Sequence, residues 1–270
     1  MVIKNKISAC LVVYNEEKLI ERCLMSIKDV VDEIIVVHDG KCNDNTLNIC
    51  FRYTKKVFVR EHVGVAEAHR PFSYRKANGD WILQIDADEY LSDKLKKKLK
   101  LLIKNNSIDA YELLWPYWDG EKYLTKNWPY KRVLFNKKKV SVLGIPNAVV
   151  EVKGKIKKID LRLEHEPNYN NFTWNCFRKK WINWAKLQAI YYLKNFQDID
   201  KFNYKKNTWS KKVKIRIKHP LLLVPFEFII TFYKNIVNEG WTGNWLIKFK
   251  VAIMLGLYRV LVNYYIYKYE

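Results

Sequence analysis

The sequence predicts an α/β fold with a mixed, mainly parallel sheet, followed by a C-terminal helical extension. Three observations predict it. Short β-rich apolar runs alternate with helical patterns over residues 7–91, the pattern turns strand-like with Gly and Pro breaks over 108–165, and aromatic residues recur at helical spacing beyond Pro167. The opening run, 7–13, reads as a strand, and Leu19, Ile20, Cys23, Leu24 and Ile27 fall on one face of the helix after it. Residues 33–37, 56–61 and 81–86 repeat the strand signal, with helical stretches near 44–53 and 66–78 between them. Pro71 fits the second of these only in its first turn or at a kink. Strand and helix in alternation imply parallel strands with helices on the sheet faces.

Ser92 reads as an N-cap, and Leu95, Leu99, Leu102 and Ile103 then define an amphipathic helix, rich in lysine, that ends near Asn105. Beyond Pro167, Trp174, Phe177, Trp181, Trp184 and Tyr191 mark an aromatic helix whose first reading is core packing. Residues 201–219 hold many Lys and Arg with no Asp or Glu, and directly precede the apolar run 221–233. That run is shorter than the roughly 20 residues a spanning helix needs, and Arg259 and Asn263 interrupt the longer run 251–267. The expectation is therefore helices lying in a membrane interface, with 201–219 supplying charge and 221–233 and 245–269 supplying apolar surface. The division expected is 1–166 for the α/β domain and 167–270 for a helical, aromatic and basic extension.

Composition bounds the function. In 270 residues, 49% are hydrophobic, enough for a packed core, and the net charge of +21 attracts phosphorylated ligands, anionic lipid or nucleic acid. Five scattered cysteines without a Cys-x-x-Cys pair suit a reduced, cytosolic setting, and residues 1–6 with the short apolar run after them do not read as a signal peptide.

The chemistry concentrates in Asp86-Ala87-Asp88-Glu89, at the end of the apolar strand. Ligands of open α/β sheets sit beyond the carboxyl ends of strands, and hard carboxylate oxygens there suit Mg²⁺ or Mn²⁺ bridging the phosphates of a nucleotide sugar. A solvated acidic turn is the competing reading of the triplet alone.

The surroundings resemble family 2 glycosyltransferases of the GT-A fold. Residues 8–17 look like that family's first strand and Tyr-Asn-Glu-Glu turn, 34–46 like its Asp-Gly loop ending Asp-x-Thr, and Arg70 like the Arg that precedes Gly-Asp-Trp and the Asp-x-Asp strand. The resemblance implies that Tyr14 and Glu16 line a nucleobase pocket, that Asp39 binds base or ribose, and that Arg70 approaches the diphosphate. It further implies Asp86 on ribose or metal, Asp88 on metal, His165 as a third metal ligand and Glu151 as the base that deprotonates the acceptor hydroxyl. Two departures stand out: the Asp39 loop is one residue longer than usual between Gly40 and Asp44, and Pro71 replaces the usual Asn. Val150 also stands where the family block has His. The tail resembles, more loosely, the extension of lipopolysaccharide-core-type members.

The implied activity is metal-dependent, inverting transfer from a nucleotide-sugar donor to a lipid-linked or surface glycan, peripheral on the cytoplasmic face of a membrane. A metal-dependent phosphoesterase using the same carboxylates, a nucleotide-binding scaffold without turnover and a nucleic-acid-binding protein are the rival readings. The acids around Asp86 would repel nucleic-acid phosphate, so no nucleic-acid partner is expected.

Overall fold

In the computed structural model, which describes residues 5–238 and 240–270, the chain opens as the alternation predicts. Strand β1 (Ile7–Val13) leads to α1 (Ile20–Ile27), β2 (Glu33–Asp39) to α2 (Thr46–Phe51), and β3 (Val57–Arg60) through a 3₁₀ turn at Ala66–Ala68 to α3 (Arg70–Lys76). Strand β4 (Trp81–Gln84) then runs into β5 (Glu89–Leu91) and α4 (Asp93–Leu102). Pro71 sits in the first turn of α3, where its missing N–H costs nothing. The side chain of Ser92 accepts from Leu95 N–H and caps α4.

The middle of the chain supplies β6 (Ala110–Leu114), β7 (Tyr130–Asn136), β8 (Val140–Leu143), β9 (Glu151–Val152) and β10 (Ile156–His165). Eight strands form one sheet in the order β3-β2-β1-β4-β7-β6-β10-β5. The first four are mutually parallel, as is the β6–β10 pair, while β7 and β5 run antiparallel to their neighbours. Strand β1 lies at the centre with six of its seven residues buried. It has helices on both faces, which is why it reads as a near-continuous apolar run rather than an alternation.

After residue 167 the chain is mostly helical. A short α5 (Trp174–Cys176) passes through a π-helical turn at Phe177–Trp181 into α6 (Ile182–Leu193). Strand β11 (Lys201–Phe202) then pairs with β8, and α7 (Lys211–Lys218), α8 (Pro220–Ile236) and α9 (Trp245–Tyr269) follow. Two expectations for this region change. The basic stretch does not supply surface charge throughout: most of its second half is α7, whose Arg216 is buried against Glu227 and Tyr192. Nor is α9 mainly an apolar surface: Val251, Ala252, Met254, Val262 and Ile266 are buried, because a helix apolar on several sides gains most by packing between α6 and α8. Among the described residues no helix is long and apolar enough to cross a membrane. The reading of the N-terminal segment falls partly on residues 1–4, which lie outside the described residues.

Candidate active site at the carboxyl ends of the strands

The parallel strands β1, β2 and β4 all point their carboxyl ends at one side of the sheet, where a cleft of about 530 Å³ opens. Glu16, Arg70, Asp86, Asp88 and His165 line it. Five of the eight residues singled out from the sequence thus meet in one place, although they come from four separate segments of the chain.

Asp86 is ringed by cations. Its Oδ1 accepts from Arg70 Nη2 at 3.3 Å and its Oδ2 from Lys131 Nζ at 2.6 Å. Burial works against its charge, but Lys131 and then Arg70 outweigh that effect, so its pKa is lowered and it is ionised at neutral pH. Lys131 also pairs with the fully buried Glu89. Glu89 accepts in addition from the Trp115 indole N–H at 2.6 Å and from the Asp86 backbone N–H at 2.9 Å. Lys131, Glu89 and Trp115 therefore fix the orientation of Asp86. Of these, only Glu89 was marked in the sequence, as part of the acidic cluster; Lys131 lies among other basic residues, and nothing local marks it as inward-facing.

Asp88 presents Oδ2 3.3 Å from Nε2 of His165. The position of that ring follows from the sheet, since His165 pairs with Glu89 across β10 and β5, and the ring stacks on Trp115 with centroids 4.2 Å apart. Among the described residues no group of three His, Cys, Asp or Glu is placed to hold an ion. The Asp86 oxygens are engaged by Lys131 and Arg70, while Asp88 and His165 stand next to each other in the cleft.

Glu16 follows Asn15, whose φ of 51° turns the chain sharply at the end of β1. Its carboxyl is pushed up to about 7, by burial first and then by Asp88, with Asp44 and Asp86 adding smaller repulsions. Tyr14 is exposed beside the cleft, its ring 4.7 Å from that of His62.

Asp39 does not line the cleft. Its carboxylate accepts from Val63 N–H at 2.7 Å and Gly64 N–H at 2.9 Å, and lies 2.8 Å from His69 Nε2. These bonds outweigh the effect of burial and lower its pKa. Gly40, at φ 92°, allows the arrangement, since a Cβ there would come within 2.6 Å of His62. Glu151 is also outside the cleft: it is exposed on β9, opposite Ser141. The cleft's remaining carboxylate is Glu67, whose Oε1 accepts from Asn147 N–H at 3.2 Å.

The rest of the lining is largely aromatic and comes from both sides of residue 167: Trp115, Tyr117 and Trp118 before it, Trp181 and Trp184 near and on α6, and Tyr258 on α9. Among the described residues, the indole nitrogens of Trp118 and Trp181 and Nδ1 of His165 find no hydrogen-bond partner. Unpaired buried polar atoms are uncommon in folded proteins, and these three belong to residues that line one cavity.

Known proteins similar to this chain include glycosyltransferases by description. An uncharacterized glycosyltransferase of Rickettsia felis is 37% identical over 106 residues, covering 39% of this chain and 37% of the relative. The glycosyltransferase SunS of the SPbeta prophage in Bacillus subtilis is 35% identical over 99 residues, 34% of this chain and 22% of the relative. The chain therefore spans well under two thirds of these relatives. Among solved structures, glucosyl-3-phosphoglycerate synthase from Mycobacterium tuberculosis, in complex with Mg²⁺ and UDP, aligns at 26% identity over 41% of this chain and 44% of that one, with a TM-score of 0.35. S. aureus TarS 1–349 aligns at 14% identity over 96% and 91%, with a TM-score of 0.44. Residues 8–151 match Glycosyl transferase family 2. That match covers more than half of the 270 residues and includes the whole run from β1 to the start of β9. The α/β domain is of the GT-A type, and the chain belongs to glycosyl transferase family 2.

Proposed function

We propose that the chain is a metal-dependent, inverting glycosyltransferase that moves a sugar from a nucleotide-sugar donor to a hydroxyl of a lipid-linked or surface glycan, at the cytoplasmic face of a membrane. The observation that carries the reading is the meeting of Glu16, Arg70, Asp86, Asp88 and His165 in one cleft beyond the strand ends, in a chain of this family. We assign donor binding to residues 1–166 and regard 167–270 as the extension that completes the acceptor side.

Asp88 and His165 fit a divalent cation as a two-residue platform of hard oxygen and imidazole nitrogen. Mg²⁺ and Mn²⁺ commonly take one or two protein ligands and fill the remaining positions with substrate phosphates. The ion would supply positive charge to the departing diphosphate. Arg70, already at the cleft wall, is the side chain placed to add a second positive charge there. Asp86, held ionised by Lys131, is placed to accept from a donor hydroxyl, with Tyr14 and Glu16 flanking the base. Asp39 has its oxygens taken by the 62–64 loop and acts by positioning that loop.

Inversion needs one carboxylate to take the acceptor proton. Glu67 is our candidate, because it lines the cleft on the same side as Tyr258 and only one backbone N–H is bonded to its carboxylate. Glu151 stays in the proposal only as the alternative that the same experiment tests. A sugar acceptor suits the aromatic lining of the cleft, whose ring faces offer apolar contact. Release of nucleoside diphosphate from a panel of nucleotide sugars, with and without Mn²⁺, tests the reading. Release that follows acceptor modification supports a transferase; hydrolysis of simple phosphate esters without nucleotide-sugar turnover would replace it with a phosphoesterase.

A further inference from the structure

Helix α8 is apolar on two faces, and the chain covers only one of them. The inner face packs on α9 so closely that a Cβ on Gly256 would come within 2.7 Å of the Phe228 ring, and Phe228 stacks on Phe232 behind it. The outer face carries Leu222, Phe226, Ile229, Ile230 and Tyr233, at the spacing of one helical stripe, and all are exposed, Leu222 by 68% and Phe226 by 63%. Trp245, which opens α9, is exposed by 69%. Soluble surfaces scatter such side chains singly; a row of this length marks an interaction surface.

The charge beside that face is of one sign. Lys211, Lys212, Lys214 and Lys218 of α7 are exposed, and residues 201–219 contain no acid. The single acidic residue of α8, Glu227, is turned away into a buried pair with Arg216 and accepts from Asn263 at 3.0 Å. An apolar stripe next to a lysine-rich helix, with no free carboxylate on either α7 or α8, is complementary to an anionic surface with an apolar interior. It is not complementary to a second copy of itself, which would bring the same lysines and another +21 to the contact.

We infer that the outer face of α8, with the start of α9 and the lysines of α7, is a docking surface for an anionic lipid bilayer. The helix lies in the plane of the headgroups with its stripe among the acyl chains, as its length and the flanking charge require. This names the partner and the surface behind the membrane part of the proposed function, and it does not depend on the chemistry of the cleft.

Flotation of the full chain with phosphatidylglycerol–phosphatidylcholine vesicles and with phosphatidylcholine vesicles tests it. Binding is expected to the anionic vesicles, at least 10-fold stronger than to the neutral ones, weakened but not abolished by high salt. The double variant Phe226→Asp, Ile230→Asp is expected to lose at least 10-fold in vesicle binding while its thermal unfolding and its Mn²⁺-dependent binding of nucleoside diphosphates match the parent. Replacing the four α7 lysines with Gln should remove the preference for anionic lipid. Equal binding of the double variant and the parent, equal binding to both vesicle types, or a lipid-free dimer that Phe226→Asp dissolves would overturn the inference, the last by showing that a second copy covers the face. Vesicle binding without nucleotide binding leaves docking intact and removes the transferase reading; nucleotide binding by a parent indifferent to vesicles does the reverse.

Discussion

At the carboxyl ends of β1, β2 and β4 the chain buries charge, whereas along α8 it exposes apolar side chains, and the two departures are compensated differently. In the cleft, Asp86 and Glu89 are matched from within the chain by Lys131, Arg70 and the Trp115 N–H. On α8 no such internal match exists, and the stripe is left for something outside the chain. A buried ion network completed by the fold serves to orient groups, while an apolar face the fold leaves uncovered points to a partner. Substitutions in the first region should therefore disturb folding or catalysis, and those on the second should leave both almost untouched.

The largest expected effect is at Asp88. Asp88→Asn should abolish Mn²⁺-dependent nucleotide binding and cut turnover by roughly 10³-fold or more, several kcal/mol of charge stabilisation, in a protein that still unfolds cooperatively. Isothermal titration with Mn²⁺ and nucleoside diphosphate checks it, and unchanged binding would remove the Asp88–His165 platform. Lys131→Met should come next. It leaves Asp86 and Glu89 facing each other without their shared cation, and a loss of about 3 kcal/mol in denaturant unfolding is expected. A variant as stable as the parent would mean that Arg70 alone neutralises the pair.

Glu67→Gln is expected to keep donor binding and lose turnover about 10²-fold, while Glu151→Gln stays near the parent. Steady-state rates of the two variants decide between them, and the opposite ranking would return the base to β9. Glu16 gives a pH signature. Its folded pKa of about 7 lies above the ordinary 4.5, so the stability it contributes is present below 4.5 and is lost as pH rises through 7. In metal-free buffer, Glu16→Gln should thus melt a few degrees above the parent at pH 8 and close to it at pH 4.5; an equal shift at both pH values would assign the effect to packing. The smallest effect belongs to the other region. Ile230→Asp, on the exposed stripe, should change unfolding free energy by no more than about 0.5 kcal/mol, and a larger loss would place that face inside a folded contact.

The order of strands and helices from β1 to β4, and the helix α4, were legible because each of those elements announces itself locally, whereas the short β5 was not. A buried parallel strand needs an apolar run, a surface helix needs an apolar stripe, and Ser92 and Pro71 mark helix starts by chemistry confined to one turn. The carboxylates at the end of β4 could be found for the same reason: a strand end followed by three acids is a local pattern.

Roles that depend on distant neighbours were not legible. Nothing near Lys131 in the chain separates it from the many solvated lysines; only the antiparallel pairing of β7 with β4 brings its ammonium to Asp86. That the amides of the 62–64 loop bond the Asp39 carboxylate, and that β9 holds Glu151 exposed outside the cleft, depends on segments far from them in the chain. The same holds for the tail. Sequence alone determined that residues 221–233 and 245–269 are apolar stretches beside a basic segment, because hydropathy and charge are properties of each residue. Which of the two helices is covered was decided by tertiary structure: α9 packs between α6 and α8 and loses its apolar surface to the core, and α8, packed on one side only, keeps its outer face in the open.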